Sequence, residues 1–200
     1  MGKQTELNNF ISSWFSPQML LLESRINDDL LDKRREIDEH FMDNFRDICA
    51  LACKKQENDT SDAVSYISYS ILQINFLTKK PLCLVETFNE DWYFSEPICE
   101  LYYDPFRLTT PLYELYDEAC SESKKYVGAI NRADVERLIL IALNRQINGF
   151  TELAKNALLT KRPSRFASYT SLKRKNLSII VGKYRGKFKT IFEETGEKII

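Results

Sequence analysis

Between positions 86 and 103 the chain sets five carboxylates, Glu86, Glu90, Asp91, Glu96 and Glu100, among five rings, Trp92, Tyr93, Phe94, Tyr102 and Tyr103. Two kinds of chemistry use such a mixture. Paired carboxylates beside aromatic rings are the working parts of a glycosidase cleft. Aromatic side chains also mark protein interfaces, where they bring large contact area at a low entropic cost. A hairpin with a solvated acidic rim and an aromatic face packed on helices has the same composition. The interface reading is preferred, with Trp92, Tyr93, Tyr102 and Tyr103 as the partner-binding residues.

The second feature is a one-signed stretch. From Lys155 to Lys189 there are eleven Lys or Arg residues and no Asp or Glu, in a chain whose net charge is −1. Such a stretch attracts an opposite charge. Lys161, Arg162, Arg165, Lys173, Arg174, Lys175, Lys183, Arg185, Lys187 and Lys189 are therefore candidate polyanion-binding residues. They alternate with Phe166, Tyr169, Tyr184 and Phe188, as single-stranded nucleic acid requires: charge for phosphates and flat rings for bases. Against this, residues 61–125 hold eleven acids and five bases, a net of −6. The basic part then neutralises the acidic part, within the chain or across a homodimer.

Other motifs carry less. Gly182-Lys183-Tyr184-Arg185-Gly186-Lys187 lacks the spacing of a phosphate-binding loop. The single histidine, His40, follows Ile37 rather than the Glu that a helical di-iron motif demands, and it reads as a structural side chain. Cys49 and Cys53 lie four apart on a helix without a second ligand pair, so zinc is not expected. The five cysteines read as free thiols, three of them at Cys83, Cys99 and Cys120. No nucleophile elbow or dinucleotide fingerprint is present. The sequence thus offers no catalytic residues, no metal site and no cofactor.

Elements must hold these groups in place. Six Gly and six Pro in 200 residues favour long helices. The spacing predicts a short helix over 5–14 and a long one from Pro17 to Glu57, kinked near Asp28, whose stripe of Ile26, Leu30, Ile37, Phe41, Phe45, Ile48 and Ala52 reads as the buried face of a core helix, with a dimer seam as the alternative. A loop at 57–60 follows, with Ser61 capping a helix to Thr78. Leu82–Phe88 and Trp92–Phe94 read as a hairpin around Asn89-Glu90-Asp91. Thr110-Pro111 starts a helix to Tyr126, and Asn131 caps another that reaches Thr160. A short helix near 166–172 and β runs over 177–181 and 188–192 complete the pattern, ahead of an acidic, then apolar, ending.

The expected fold is α+β and predominantly α-helical: a helical body with a small β-hairpin element. Residues 1–160 form that body and 161–200 a basic C-terminal part packed on the same domain. With no secretory signal and no membrane span, the chain is expected in the cytoplasm. The favoured function is a non-enzymatic interaction or accessory protein that binds a protein partner or a second copy of itself. The alternative is binding of nucleic acid or another polyanion through 155–189; an enzyme using the hairpin carboxylates carries the least weight.

Overall fold

The computed structural model describes residues 2–58, 63–126 and 128–194. Along the chain run α1 (Lys3–Phe10), a π-helical turn (Ile11–Phe15), α2 (Ser16–Asp32), α3 (Arg34–Asn58), β1 (Val64–Ile71), α4 (Gln73–Leu77) and β2 (Cys83–Phe88). A 3₁₀ turn (Trp92–Phe94), β3 (Cys99–Tyr103), α5 (Phe106–Ser123) and α6 (Arg132–Lys161) follow. A second 3₁₀ turn (Pro163–Arg165), α7 (Ala167–Ser171), β4 (Arg174–Lys183) and β5 (Phe188–Glu193) end the described chain. The turn expected around Asp59-Thr60, its Ser61 cap and the residues after Glu194 lie outside the described residues.

The chain divides into two compact units. The first comprises residues 1–34 and 106–148. It is helical, and its core includes Phe10, Met19, Leu22, Leu112, Leu115, Val135 and Ile139. Phe10 stacks on Trp14 at 5.5 Å and meets Tyr126 edge-on. Arg25 pairs with Glu114, and Lys3 with Asp134. The start of α6 is a reciprocal cap: the Asp134 amide donates to Asn131 Oδ1 at 3.0 Å, and the Asn131 amide donates to Asp134 Oδ2 at 3.1 Å. Two orphan donors at the helix start are satisfied in this way.

The second unit, residues 35–105 and 149–200, holds a five-stranded sheet in the order β3-β2-β1-β4-β5. β1 runs parallel to β4, and the other neighbours are antiparallel. Ile67, Tyr69, Ile71, Val85 and Val181 share one face by register. That face packs on α3 and the later part of α6. Phe41 lies 5.1 Å from Tyr69, and Phe150 stacks on Tyr103 at 6.0 Å.

This sheet overturns the expectation of a helical body with a small hairpin. Helix still dominates, at 63% of the described residues against 19% strand, so the chain is a helix-rich α+β protein. The error began at Val64, Ile67, Ile71 and Ile74, whose spacing imitates a helical stripe. Residues 64–71 are instead the central strand, buried on both faces at every position but Tyr66. A strand buried on both sides loses the period-two alternation that would identify it. The hairpin also has a different partner from the expected one: β2 pairs with β3, and Trp92–Phe94 is a 3₁₀ turn. Asn89 makes that turn, its Oδ1 accepting from the Asp91 amide at 3.0 Å and from Ser95 Oγ at 2.9 Å.

Two helix boundaries also move. The long first stretch breaks at Lys33 rather than near Asp28. Pro111 lies inside α5 rather than at its start, because the chain already enters the helix at Phe106.

Candidate functional site

Strand alternation builds the second face of the sheet. Because side chains of paired residues share a face, the register lays them out in rows. One row is Glu100, Glu86, Ser68, Ile180 and Thr190. The row beside it is Tyr102, Leu84, Ser70, Gly182 and Phe188. On the other side stand Phe88, Tyr66 and Ser178.

The Trp92–Phe94 turn lies over this face. Trp92 stacks on Tyr66 at 5.0 Å and meets Phe188 edge-on at 5.7 Å. Tyr93 packs against Phe88 at 5.2 Å, and its hydroxyl stands 3.5 Å from Ser70 Oγ. Ser70 in turn shares a hydrogen bond with Ser68 at 3.2 Å. Trp92 is held at φ +50°, a left-handed conformation that is costly for a bulky side chain. The packing of its ring on Tyr66, Tyr93 and Phe188 offsets that strain. Phe94 then has nowhere to pack and is 100% exposed.

Glu86 is the unusual group. It is 6% exposed, and its Oε2 has no hydrogen-bond partner. Burial first, and the carboxylate of Glu100 second, push its pKa up to about 7 against the opposing pull of Arg185. A carboxylic acid in that range exchanges its proton near neutrality, as groups at functional sites often do.

Of the four residues expected to bind a partner, three sit around this face. Trp92 is pinned by its neighbours, while Tyr93 and Tyr102 are 39% and 56% exposed. Tyr102 lies on the edge strand β3, and Tyr93 in the turn packs on Phe88 and Phe188. Tyr103 points the other way, into the cluster of Phe41, Tyr69 and Phe150, and is buried. Among the five carboxylates, Glu86 and Glu100 come together, and Glu90 pairs with Lys175 at 2.7 Å. Sequence reasoning missed Ser68, Ser70 and Phe94. The alternating Tyr66-x-Ser68-x-Ser70 pattern was the available signal for the first two.

The basic stretch is dispersed. Lys161 pairs with Glu39, Arg174 with Glu194, Lys175 with Glu90 and Lys189 with Glu152. Arg174 is also held over the Tyr169 ring at 4.4 Å. Lys155, Arg162, Arg165, Lys173, Lys183, Arg185 and Lys187 are exposed. Lys173 precedes β4 and Lys183 ends it, so ten residues of strand, roughly 30 Å, separate them. Lys183, Arg185 and Lys187 gather at the tip between β4 and β5.

The remaining candidates are structural. Cys49, Cys83 and Cys99 are buried free thiols, with Cys53 and Cys120 half-buried. Desolvation raises the pKa of all five, so none is an activated thiolate. His40 stacks near Tyr103 at 5.1 Å. Among the described residues no group of three or more His, Cys, Asp or Glu is placed to hold a metal ion. No described helix is long and apolar enough to cross a membrane.

Compared with family models, curated proteins and solved structures, the chain matches none.

Proposed function

We propose that this protein works by binding rather than catalysis. The sheet face around the Trp92–Phe94 turn docks a protein partner that presents basic side chains. The observation that carries the reading is Phe94: a fully exposed ring on a turn whose two preceding rings are fixed in place. A rigid, solvent-facing aromatic anchor loses little entropy on binding. Charge supports the choice of partner. Residues 82–104 contain six carboxylates and no Lys or Arg, so a surface rich in Lys and Arg complements them. Five free thiols fit a reducing compartment, and we place the protein in the cytoplasm as an accessory factor.

A photo-crosslinking phenylalanine analogue at position 94 tests this in cells, with the same group at exposed Leu159 on α6 as control. Position 94 should capture a distinct, basic protein that position 159 does not. The purified partner should then bind Phe94→Ala roughly tenfold more weakly, as expected for an interface anchor. Identical products from both positions, or an unchanged affinity for Phe94→Ala, would remove the proposal. Crosslinks only to a second copy, with a dimer on sedimentation, would replace the separate partner by self-assembly.

A further inference from the structure

We infer that Glu86 and Glu100 together form a receptor for one guanidinium or ammonium group, a basic side chain presented by the docked partner. This rests on the docking reading and adds the chemistry of its polar contact. The two residues face each other directly in the β2–β3 register. Cβ atoms of such pairs lie about 5 Å apart, and like charges so placed repel. The repulsion disappears once a cation sits between them.

Glu86 itself points to a missing ligand. Its side chain is more than nine-tenths buried, yet Oε2 meets no donor. A buried acceptor left unpaired carries the desolvation cost of the group without the bond that offsets it. Nothing on the neighbouring strands supplies that bond. Ser68, the paired residue on the β1 side, exchanges its hydrogen bond with Ser70. Arg185, whose charge eases the Glu86 ionisation, stacks its guanidinium over Tyr184 at 5.3 Å. Tyr93, above the face, directs its hydroxyl toward Ser70.

The chemistry selects the occupant. Calcium takes six to eight oxygen ligands, more than two carboxylates provide, and magnesium gives up its waters reluctantly, which disfavours it beside a buried carboxylate. A guanidinium matches better: it has a single charge, is weakly hydrated and carries a planar set of donors that meets carboxylates two at a time. Glu100 and Tyr102, on the edge strand β3, are exposed, so an incoming cation meets Glu100 first. Around neutrality the incoming cation displaces a proton from Glu86, because the ionised pair is the form it stabilises.

The whole 200-residue chain with isotope-labelled glutamate carboxyls should be titrated with N-acetyl-arginine amide, and with the citrulline analogue as an isosteric neutral control. The arginine compound should move the Glu86 and Glu100 carboxyl resonances and lower the Glu86 titration midpoint; citrulline should do neither. Glu86→Gln and Glu100→Gln should each weaken binding by about tenfold, and Leu159→Ala, at an exposed position on α6, should leave it unchanged. Equal binding of citrulline, or arginine binding with no response at the Glu86 carboxyl, overturns the receptor. The wild-type titration decides this even where a variant fails to fold. If partner capture at position 94 succeeds while arginine leaves Glu86 unmoved, docking stands and the cation receptor falls. If arginine binds while position 94 captures nothing, the receptor stands without the aromatic anchor.

Discussion

Glu86 and Glu100 stand opposite one another across the β2–β3 ladder, one buried and one exposed, so a single pair of like charges spans the boundary between sheet and solvent. The buried member bears the cost. Its pKa is raised to about 7 by burial and by its neighbour, and stability therefore depends on pH at a specific place in the fold.

The sign follows from proton counting. An unfolded glutamate titrates near 4.3, while folded Glu86 holds its proton to about 7. Between those values the folded state binds the extra proton, so rising pH favours unfolding and the loss levels off above neutrality. Glu86→Gln, which resembles the protonated acid, should be more stable than the parent by roughly 3–4 kcal/mol at about pH 8 and nearly equal to it at about pH 4. Urea unfolding across that range checks this. Parallel stability curves for the two proteins would show that Glu86 is not the group responsible.

Tyr69 lies at the centre of the helix-packed face, fully buried, and its hydroxyl has no partner. Burial raises its pKa well above the ordinary tyrosine value. Removing an unpaired hydroxyl while keeping the ring relieves a desolvation cost. Tyr69→Phe should accordingly be neutral or stabilising by about 1 kcal/mol, whereas Tyr69→Ala should cost about 3–5 kcal/mol by leaving a cavity. Denaturant midpoints of both variants separate ring from hydroxyl.

Gly182 is required for closeness rather than for a special backbone angle. A Cβ there would stand 2.8 Å from Phe188 Cα and would also press on the Lys187 carbonyl oxygen. Both obstacles are backbone or backbone-fixed, so they cannot rotate away. Gly182→Ala should destabilise by about 2 kcal/mol or more through overpacking. It should also speed hydrogen exchange of the β5 amides. Unchanged exchange there would mean that β5 does not depend on this contact.

The dispersed bases set a limit on polyanion binding. If the β4–β5 tip with Lys183, Arg185 and Lys187 is the binding surface, about three phosphates are neutralised together. The affinity for single-stranded nucleic acid should then fall with salt at a logarithmic slope of about −2. A slope near −5, counting the seven exposed bases named above, would require a continuous surface along the ten-residue β4 strand.

Much of the helical framework was legible because its signals are local. Asn131, Asp134 and the apolar stripe after Val135 fixed α6 to within a residue at each end. The β runs over 177–181 and 188–192 fall inside β4 and β5. What was not legible depends on distant partners. Val64–Ile71 became a strand because β2 and β4 flank it on both sides, and no local periodicity reports that. The carboxylates of the site were visible as a group. That Glu86 would meet Glu100 rather than Phe94, its partner in the expected hairpin, depends on β3 being the true partner of β2, which the aromatic run Trp92-Tyr93-Phe94 disguised.

The parallel pairing of β1 with β4 has a consequence for how the chain is made. Ser65 bonds to the Lys175 carbonyl, 110 residues downstream. At a synthesis rate of about 5–20 residues per second, β1 waits roughly 5–20 s with one edge bare while α5 and α6 leave the ribosome. Its first neighbour, β2, arrives early, so a nascent three-stranded meander of β1, β2 and β3 precedes the complete sheet. During that interval the exposed edge of an apolar strand is the segment most open to aggregation and to chaperone capture.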